Sequence, residues 1–356
     1  MVKKFVYGTP FETEAVVKEI PSSEGNPDYG TFSTENGFSF TTKLADDDMV
    51  FGLGEANRGI NKRGFLYISD CADDPNHVES KTSLYAAHNF IIISGKTHVG
   101  FFFDYPGTLR FDIGYTTSDT MTVSCENADL YVYMITGDSD LDIVKQFRGI
   151  IGRSYIAPKF AFGYGQSRWG YKTEDDFRTV VKKYRENHVP LDMVYMDIDY
   201  MQDYKDFTVN EERFPDFEGF VQDMKKEKIH LVPIIDAGVK VEEGYDIYEE
   251  GCEKGYFCRR EDGSYFEATV WPGWTHFPDV LNADARKWFG DKYDVLVSKG
   301  IDAFWNDMNE PSIFYSQEGL ADFKETAKKY VEGDPEVPHY ICLLYTSPSP
   351  RDRSLS

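Results

Sequence analysis

Up to about residue 145 the apolar positions come in short runs rich in Phe, Tyr, Val, Ile and Thr, set between clusters of Gly, Asn and Asp. Residues 37–42, 90–94, 99–103 and 130–134 are four such runs. Short strands with this turn punctuation predict an antiparallel β-sandwich. After Tyr155-Ile156-Ala157-Pro158 the rhythm changes to apolar strand, polar loop, amphipathic helix and strand again, the pattern of βα units around a parallel sheet. Strands are expected at 160–164, 191–197, 229–235 and 301–305. The first helix opens at Thr173-Glu174-Asp175-Asp176, a capping box with Asp in place of Glu, and its apolar face is Phe177, Val180, Val181 and Tyr184. Phe217, Phe220, Val221 and Met224 stripe the second helix; Trp288, Phe289, Tyr293 and Leu296 stripe the third.

The expected fold class is therefore an N-terminal antiparallel β-sandwich followed by an incomplete (β/α)8 TIM barrel, of which about four βα units are present. The domains are drawn at 1–150 for the sandwich and 151–340 for the N-terminal half of the barrel, with an insertion at about 237–282 that carries Trp271 and Trp274. Residues 318–340 read as a charged helix with a solvated face. Residues 341–356 read as an aberrant tail from a truncated or frame-shifted reading frame, since four strands alone leave an open sheet edge.

At 356 residues the chain has room for two domains, and 27 Phe and 24 Tyr supply large cores. Subtracting 61 Asp and Glu from 38 Lys and Arg gives a net charge of -23, which repels phosphate backbones and anionic lipid; no nucleic-acid or membrane partner is expected. The N-terminal residues hold no apolar stretch of signal-peptide length, so the expected location is cytoplasmic. Five cysteines without regular spacing argue for reduced thiols, and the five residues between Cys252 and Cys258 do not suit a zinc site even with His230 and His276 nearby. Neither a metal nor another cofactor is expected; a homo-oligomer is left open.

In such a barrel the chemistry lies at the C-terminal ends of strands. Here those ends read Gly165-Gln166-Ser167-Arg168-Trp169, Asp197-Ile198-Asp199-Tyr200-Met201, Asp236, and Trp305-Asn306-Asp307-Met308-Asn309-Glu310-Pro311. Carboxylates among Trp, Tyr and Met suit a sugar, whose C–H faces lie on aromatic rings while its hydroxyls donate to carboxylates. Retaining glycoside cleavage needs a carboxylate nucleophile and a second carboxyl group roughly 5 Å away as acid and base. Asp307 and Glu310 both qualify, and spacing does not choose between them. Asp197 and Asp199, two residues apart, are expected on one strand face, either lining the mouth together or with one of the two holding a neighbouring arginine.

Residues 165–311 resemble the catalytic barrel of glycoside hydrolase family 31, the α-glucosidases and their relatives. The matching runs are Tyr195-Met196-Asp197-Ile198-Asp199-Tyr200-Met201, Arg213-Phe214-Pro215, Val270-Trp271-Pro272-Gly273 leading to Phe277-Pro278-Asp279, and residues 305–311. Phe51-Gly52-Leu53-Gly54-Glu55 resembles the family's sandwich motif. The resemblance implies that Asp307 is the nucleophile forming a covalent β-glycosyl intermediate. It implies that Asp197 binds a far hydroxyl, that Ile198, Trp271, Trp305 and Met308 line the sugar pocket, that Trp169 borders the leaving group, and that Asp73 adds a hydroxyl ligand. The substrate would be an α-glucoside oligosaccharide cut at its terminal glucose. The strand-two run and Asn309-Glu310-Pro311 resemble the α-glucosidase branch rather than the α-xylosidase one. The family's acid/base aspartate lies on a later strand, so this chain is expected to be inactive alone. Two alternatives stand beside this: a β-retaining barrel glycosidase with Glu310 as acid/base, and a non-catalytic carbohydrate-binding fragment.

Overall fold

The structure is a computed structural model that describes residues 1–70, 77–82, 84, 86–309 and 312–317. The helix expected at 318–340, the tail at 341–356, Asp73 and Glu310 lie outside the described residues. Two compact units divide the chain, one of Met1–Tyr155 and one beginning at Ile156.

In the first unit the strands are β1 (Val2–Tyr7), β2 (Thr31–Ser33), β3 (Phe38–Lys43), β4 (Met49–Gly54), β5 (Phe65–Ser69), β6 (Ala87–Ser94), β7 (His98–Asp104), β8 (Leu109–Ile113), β9 (Thr120–Cys125) and β10 (Leu130–Gly137), followed by helix α1 (Asp140–Ile151). They form two five-stranded antiparallel sheets in the orders β1-β10-β7-β6-β4 and β2-β3-β9-β8-β5. The unbroken apolar run of β7 reflects burial on both faces. Alternation sends Phe101 and Phe103 into the core between the sheets, with Phe40 and Phe111. Phe102 points the other way, into a second cluster with Ile143 and Ile150 of α1. Gly52, at φ +125°, sits where a Cβ would come 2.1 Å from the Phe90 carbonyl oxygen, so the bulge between Gly52 and Gly54 requires glycine there.

The second unit runs β11 (Gly165–Gln166), α2 (Glu174–Glu186), β12 (Met193–Met196), α3 (Phe217–Lys226), β13 (His230–Asp236), β14 (Val239–Lys240), α4 (Asp246–Lys254), β15 (Glu267–Val270), β16 (Gly273–His276), α5 (Ala283–Lys292), α6 (Asp294–Val297), β17 (Trp305–Asp307) and β18 (Tyr315–Ser316). A parallel sheet is ordered β11-β12-β13-β17, as the βα rhythm requires. Helices α2 and α3 press Phe177, Val181, Phe217, Phe220, Val221 and Met224 into one core with Val194, Leu231 and Ile234 of the strands.

Two strands differ from expectation. Residues 159–162 form a 3-10 turn after Pro158, with Phe160 stacked on His230 at 3.5 Å and Phe162 exposed, so the first barrel strand is moved to Gly165–Gln166. The fourth strand starts at Trp305 rather than ending there, because its pairing with β13 begins at Ile234↔Trp305. The insertion contributes β14, β15 and β16 to a small antiparallel sheet, ordered β14-β16-β15-β18, whose last strand comes from the chain after Asp307.

The capping box of α2 is present in full: Asp176 N–H donates to Thr173 Oγ1 at 3.4 Å, and Thr173 N–H donates back to Asp176 Oδ2 at 2.9 Å. Thr173→Ala is expected to cost about 1 kcal/mol. All five tryptophans lie at or beyond residue 169, so urea unfolding followed by tryptophan fluorescence reads this unit alone. No helix among the described residues is long and apolar enough to cross a membrane.

Candidate active site

Parallel pairing brings the three acidic strand ends to one edge of the sheet. Met196 pairs with Pro233, Ile234 with Trp305, and Asp236 with Asp307. Asp236 and Asp307 are thus Cα partners on neighbouring strands, about 4.8 Å apart. Asp197 leaves β12 at the next level after Met196.

The chain turns out of β12 at that point. Asp197 caps a 3-10 turn over Ile198–Tyr200, its Oδ1 accepting the Ile198 N–H at 2.8 Å. Asp197 and Asp199 therefore do not share a strand face, which corrects the alternation argument. Asp199 is buried and accepts from Arg213, whose Nη1 lies 2.7 Å from its carbonyl oxygen and 3.4 Å from Oδ1; Lys172 Nζ is 3.7 Å from Oδ2. Asp199 is the member of the pair that holds an arginine. Asp197 stays half-buried, and its carboxyl is raised above the usual range, first by burial and then by the charge of Asp199, against the opposing Ile198 N–H.

Aromatic and thioether side chains pack together on the hairpin and on the chain that flanks Asp307. Trp271 sits at the tip of the β15–β16 hairpin, 5.8 Å from the ring of Trp169 and 4.9 Å edge-on to Phe314. The hairpin is stapled to the chain after Asp307: Phe314 N–H donates to the Thr269 carbonyl at 3.0 Å, and β18 pairs with β15. That staple seats Met308 against Phe266, Val270, Phe277 and Ile313. Met308 carries a φ of 58°, a strained value for a non-glycine residue directly beyond Asp307. Trp305 stands edge-on to Tyr195 at 6.0 Å, and Tyr293 Oη donates to Asn306 Oδ1 at 2.6 Å, fixing the residue before Asp307. Trp169 is 63 % exposed. Ile198, in contrast, is 2 % exposed and packs in the main core.

Sequence reasoning missed what supports the edge from below. Asp206 is buried; its Oδ1 accepts the Asp236 N–H at 3.1 Å, and its carbonyl accepts from Tyr245 Oη at 2.7 Å. Tyr200 Oη donates to the Ile234 carbonyl at 2.9 Å. Burial, and then the charge of Asp236, push the Asp206 carboxyl well above the usual range. Its loop is held by positive φ at Asp203 (51°), Tyr204 (58°) and Phe207 (60°). The only trace in sequence is an aspartate between Lys205 and Phe207, which periodicity does not interpret. Among the described residues no group of three or more His, Cys, Asp or Glu is placed to hold a metal.

Half-buried and edge-aligned carboxylates beside Trp, Met and Phe can bind a polyhydroxylated ligand and offer a nucleophile to it. Comparison with known proteins agrees on the fold. Residues 154–347 match the family model "Glycosyl hydrolases family 31 TIM-barrel domain", and residues 11–112 match "Glycosyl hydrolase 31 N-terminal galactose mutarotase-like domain". The chain is 37 % identical over 308 residues to Alpha-glucosidase 2 of Bacillus thermoamyloliquefaciens, covering 85 % of this chain and 38 % of that protein. It is 28 % identical over 318 residues to an alpha-glucosidase of Saccharolobus solfataricus, covering 88 % of this chain and 46 % of that one. The chain thus spans less than half the length of either relative. Among solved structures, a dextranase of Flavobacterium johnsoniae complexed with isomaltotriose superimposes with a TM-score of 0.70 at 24 % identity, over 79 % of this chain and 34 % of that one. The alpha subunit of a glucosidase II gives 0.68 at 25 %, over 78 % of this chain and 33 % of that one. With its barrel segment and its sandwich each matched by the corresponding family domain, the chain belongs to glycoside hydrolase family 31.

Proposed function

We propose that these residues are the sandwich and first half-barrel of a longer retaining α-glucosidase that removes terminal α-linked glucose from oligosaccharides, with Asp307 as nucleophile. One Asp307 oxygen attacks the anomeric carbon as the bond to the leaving oxygen breaks, giving a β-linked glycosyl ester that water then hydrolyses. The proton for the leaving oxygen comes, in this reading, from a carboxylic acid on a later barrel strand, outside this sequence. Asp197 accepts a hydroxyl proton at the far rim, Trp271, Trp305 and Met308 wall the sugar, and Trp169 faces the leaving group. The observation that carries the reading is the placement of Asp307 at a parallel strand end, level with Asp236, with Met308 next to it packed on the Trp271 hairpin.

Labelling with α- and β-configured cyclophellitol probes tests it. In the complete enzyme the α-probe is expected to label the peptide holding Asp307 and the β-probe to label nothing. Labelling by the β-probe alone, with activity lost on Glu310→Ala and kept on Asp307→Ala, would establish the β-retaining alternative. The 356-residue chain by itself is expected not to turn over 4-nitrophenyl α-glucoside, because losing general acid catalysis alone removes about 10²- to 10⁴-fold.

A further inference from the structure

The insertion gathers three side chains that glycoside chemistry does not use. Cys252, in the last turn of α4, has its Sγ 3.8 Å from His276 Nδ1. On the far side of the same ring, Nε2 is 3.0 Å from Glu267 Oε1. Glu267 and His276 are Cα partners across β15 and β16, and His276 is 3 % exposed, so sheet register fixes this line of three groups. A carboxylate only accepts, so it holds the ring proton on Nε2 and leaves the Nδ1 lone pair aimed at the thiol. Burial keeps His276 below its ordinary range, which makes the ring a neutral base at neutral pH. Around the sulfur, the Tyr248 hydroxyl hydrogen-bonds to it and the Arg259 charge lies near; both favour a thiolate, while the charge of Glu267 opposes it. Tyr265, under the Arg259 guanidinium at 4.4 Å, donates its hydroxyl to the Cys252 carbonyl at 2.7 Å and braces the helix end.

The two other cysteines among the described residues lack a base. Cys125 Sγ donates to the Asn127 carbonyl at 3.0 Å and Cys258 Sγ to the Pro278 carbonyl at 3.7 Å, and a carbonyl cannot take the proton away. Burial pushes these thiols up to about 11 and about 12. Cys252 is raised by burial too, so it rests as a thiol and becomes nucleophilic only as His276 removes its proton.

We propose that Cys252 is a modification site, a thiol activated by His276 and Glu267 that reacts with small soft electrophiles. With iodoacetamide, a Sγ–C bond forms as the C–I bond breaks, iodide leaves, and the thiol proton passes to His276 Nδ1, where Glu267 stabilises the imidazolium. With a hydroperoxide, Sγ takes the terminal oxygen as the O–O bond breaks. The sulfur is oxidised to a sulfenic acid, the peroxide is reduced, and the proton held by His276 goes to the departing oxygen.

The test is the rate of iodoacetamide labelling of the native 356-residue chain at pH 7.5, resolved by peptide mass spectrometry. Cys252 is expected to react at least about 10-fold faster than Cys125 and Cys258, and His276→Gln to lower its rate about 10-fold with Cys125 unchanged. Glu267→Gln, at a side chain 40 % exposed, keeps the histidine but not its charge partner, and is expected to slow Cys252 about 3-fold. Should His276→Gln fail to fold, Glu267→Gln decides alone. A Cys252 that labels no faster than Cys125, or at an unchanged rate in the folded variants, overturns the proposal. The readout is independent of glycosidase activity.

Discussion

Asp307→Asn in the complete enzyme is expected to lower kcat for α-glucoside hydrolysis by about 10⁴- to 10⁶-fold with little change in KM, as removal of a covalent nucleophile does. The amide has the shape of the carboxylate but no charge with which to attack the anomeric carbon. The backbone of β17 remains paired to β13, Tyr293 still holds Asn306, and Met308 remains packed on the insertion sheet. Steady-state kinetics with 4-nitrophenyl α-glucoside, alongside circular dichroism to establish folding, checks it. A folded variant that keeps a tenth of the native rate would remove Asp307 from the nucleophile role.

Asp206→Ala is expected to destabilise the second unit by about 1–3 kcal/mol, because it strips the acceptor from the buried Asp236 N–H. Asp206→Asn keeps an acceptor oxygen and carries no charge. Its effect depends on pH, with a sign that follows from the raised carboxyl. A group whose folded pKa lies above its unfolded value keeps in the folded chain a proton that the unfolded chain has released. Its contribution to stability is therefore full below the ordinary carboxyl range and is lost as pH rises toward the raised folded value. Asparagine cannot lose that proton. Relative to the native chain, Asp206→Asn should become progressively more stable from pH 4 to pH 8, read by urea unfolding with tryptophan fluorescence. A constant difference between the two across that range would mean that Asp206 is ionised in the fold, contrary to this account.

Much of this was legible in the sequence because the same alternation that buries a residue also names its partner. The run at 99–103 read as a strand, and its burial on both faces explains why no polar residue interrupts it. The helix faces of α2 and α3 and the Thr173 capping box followed from spacing alone. Strand starts were less legible. The residues at 301–304 are apolar enough for a strand, yet parallel pairing begins only where β13 offers a partner, at Ile234. Asp197 and Asp199 show the limit more sharply. Two-residue spacing put them on one face, but the chain turns at Asp197, and only the fold reveals that Arg213, fourteen residues on from Asp199, is close enough to hold it. Asp206 was invisible for a related reason. Its role comes from a loop with left-handed residues that carries it beneath the end of β13, and no periodicity encodes such a path.

As nucleophile, Asp307 must form a covalent bond with the sugar. Intact-mass and peptide mass spectrometry of the complete enzyme, incubated with 5-fluoro-α-glucosyl fluoride, tests this directly. The expected result is one added fluoroglucosyl group per chain, located on the peptide that contains Asp307. An unmodified Asp307 peptide in an enzyme that the same reagent inactivates would contradict it.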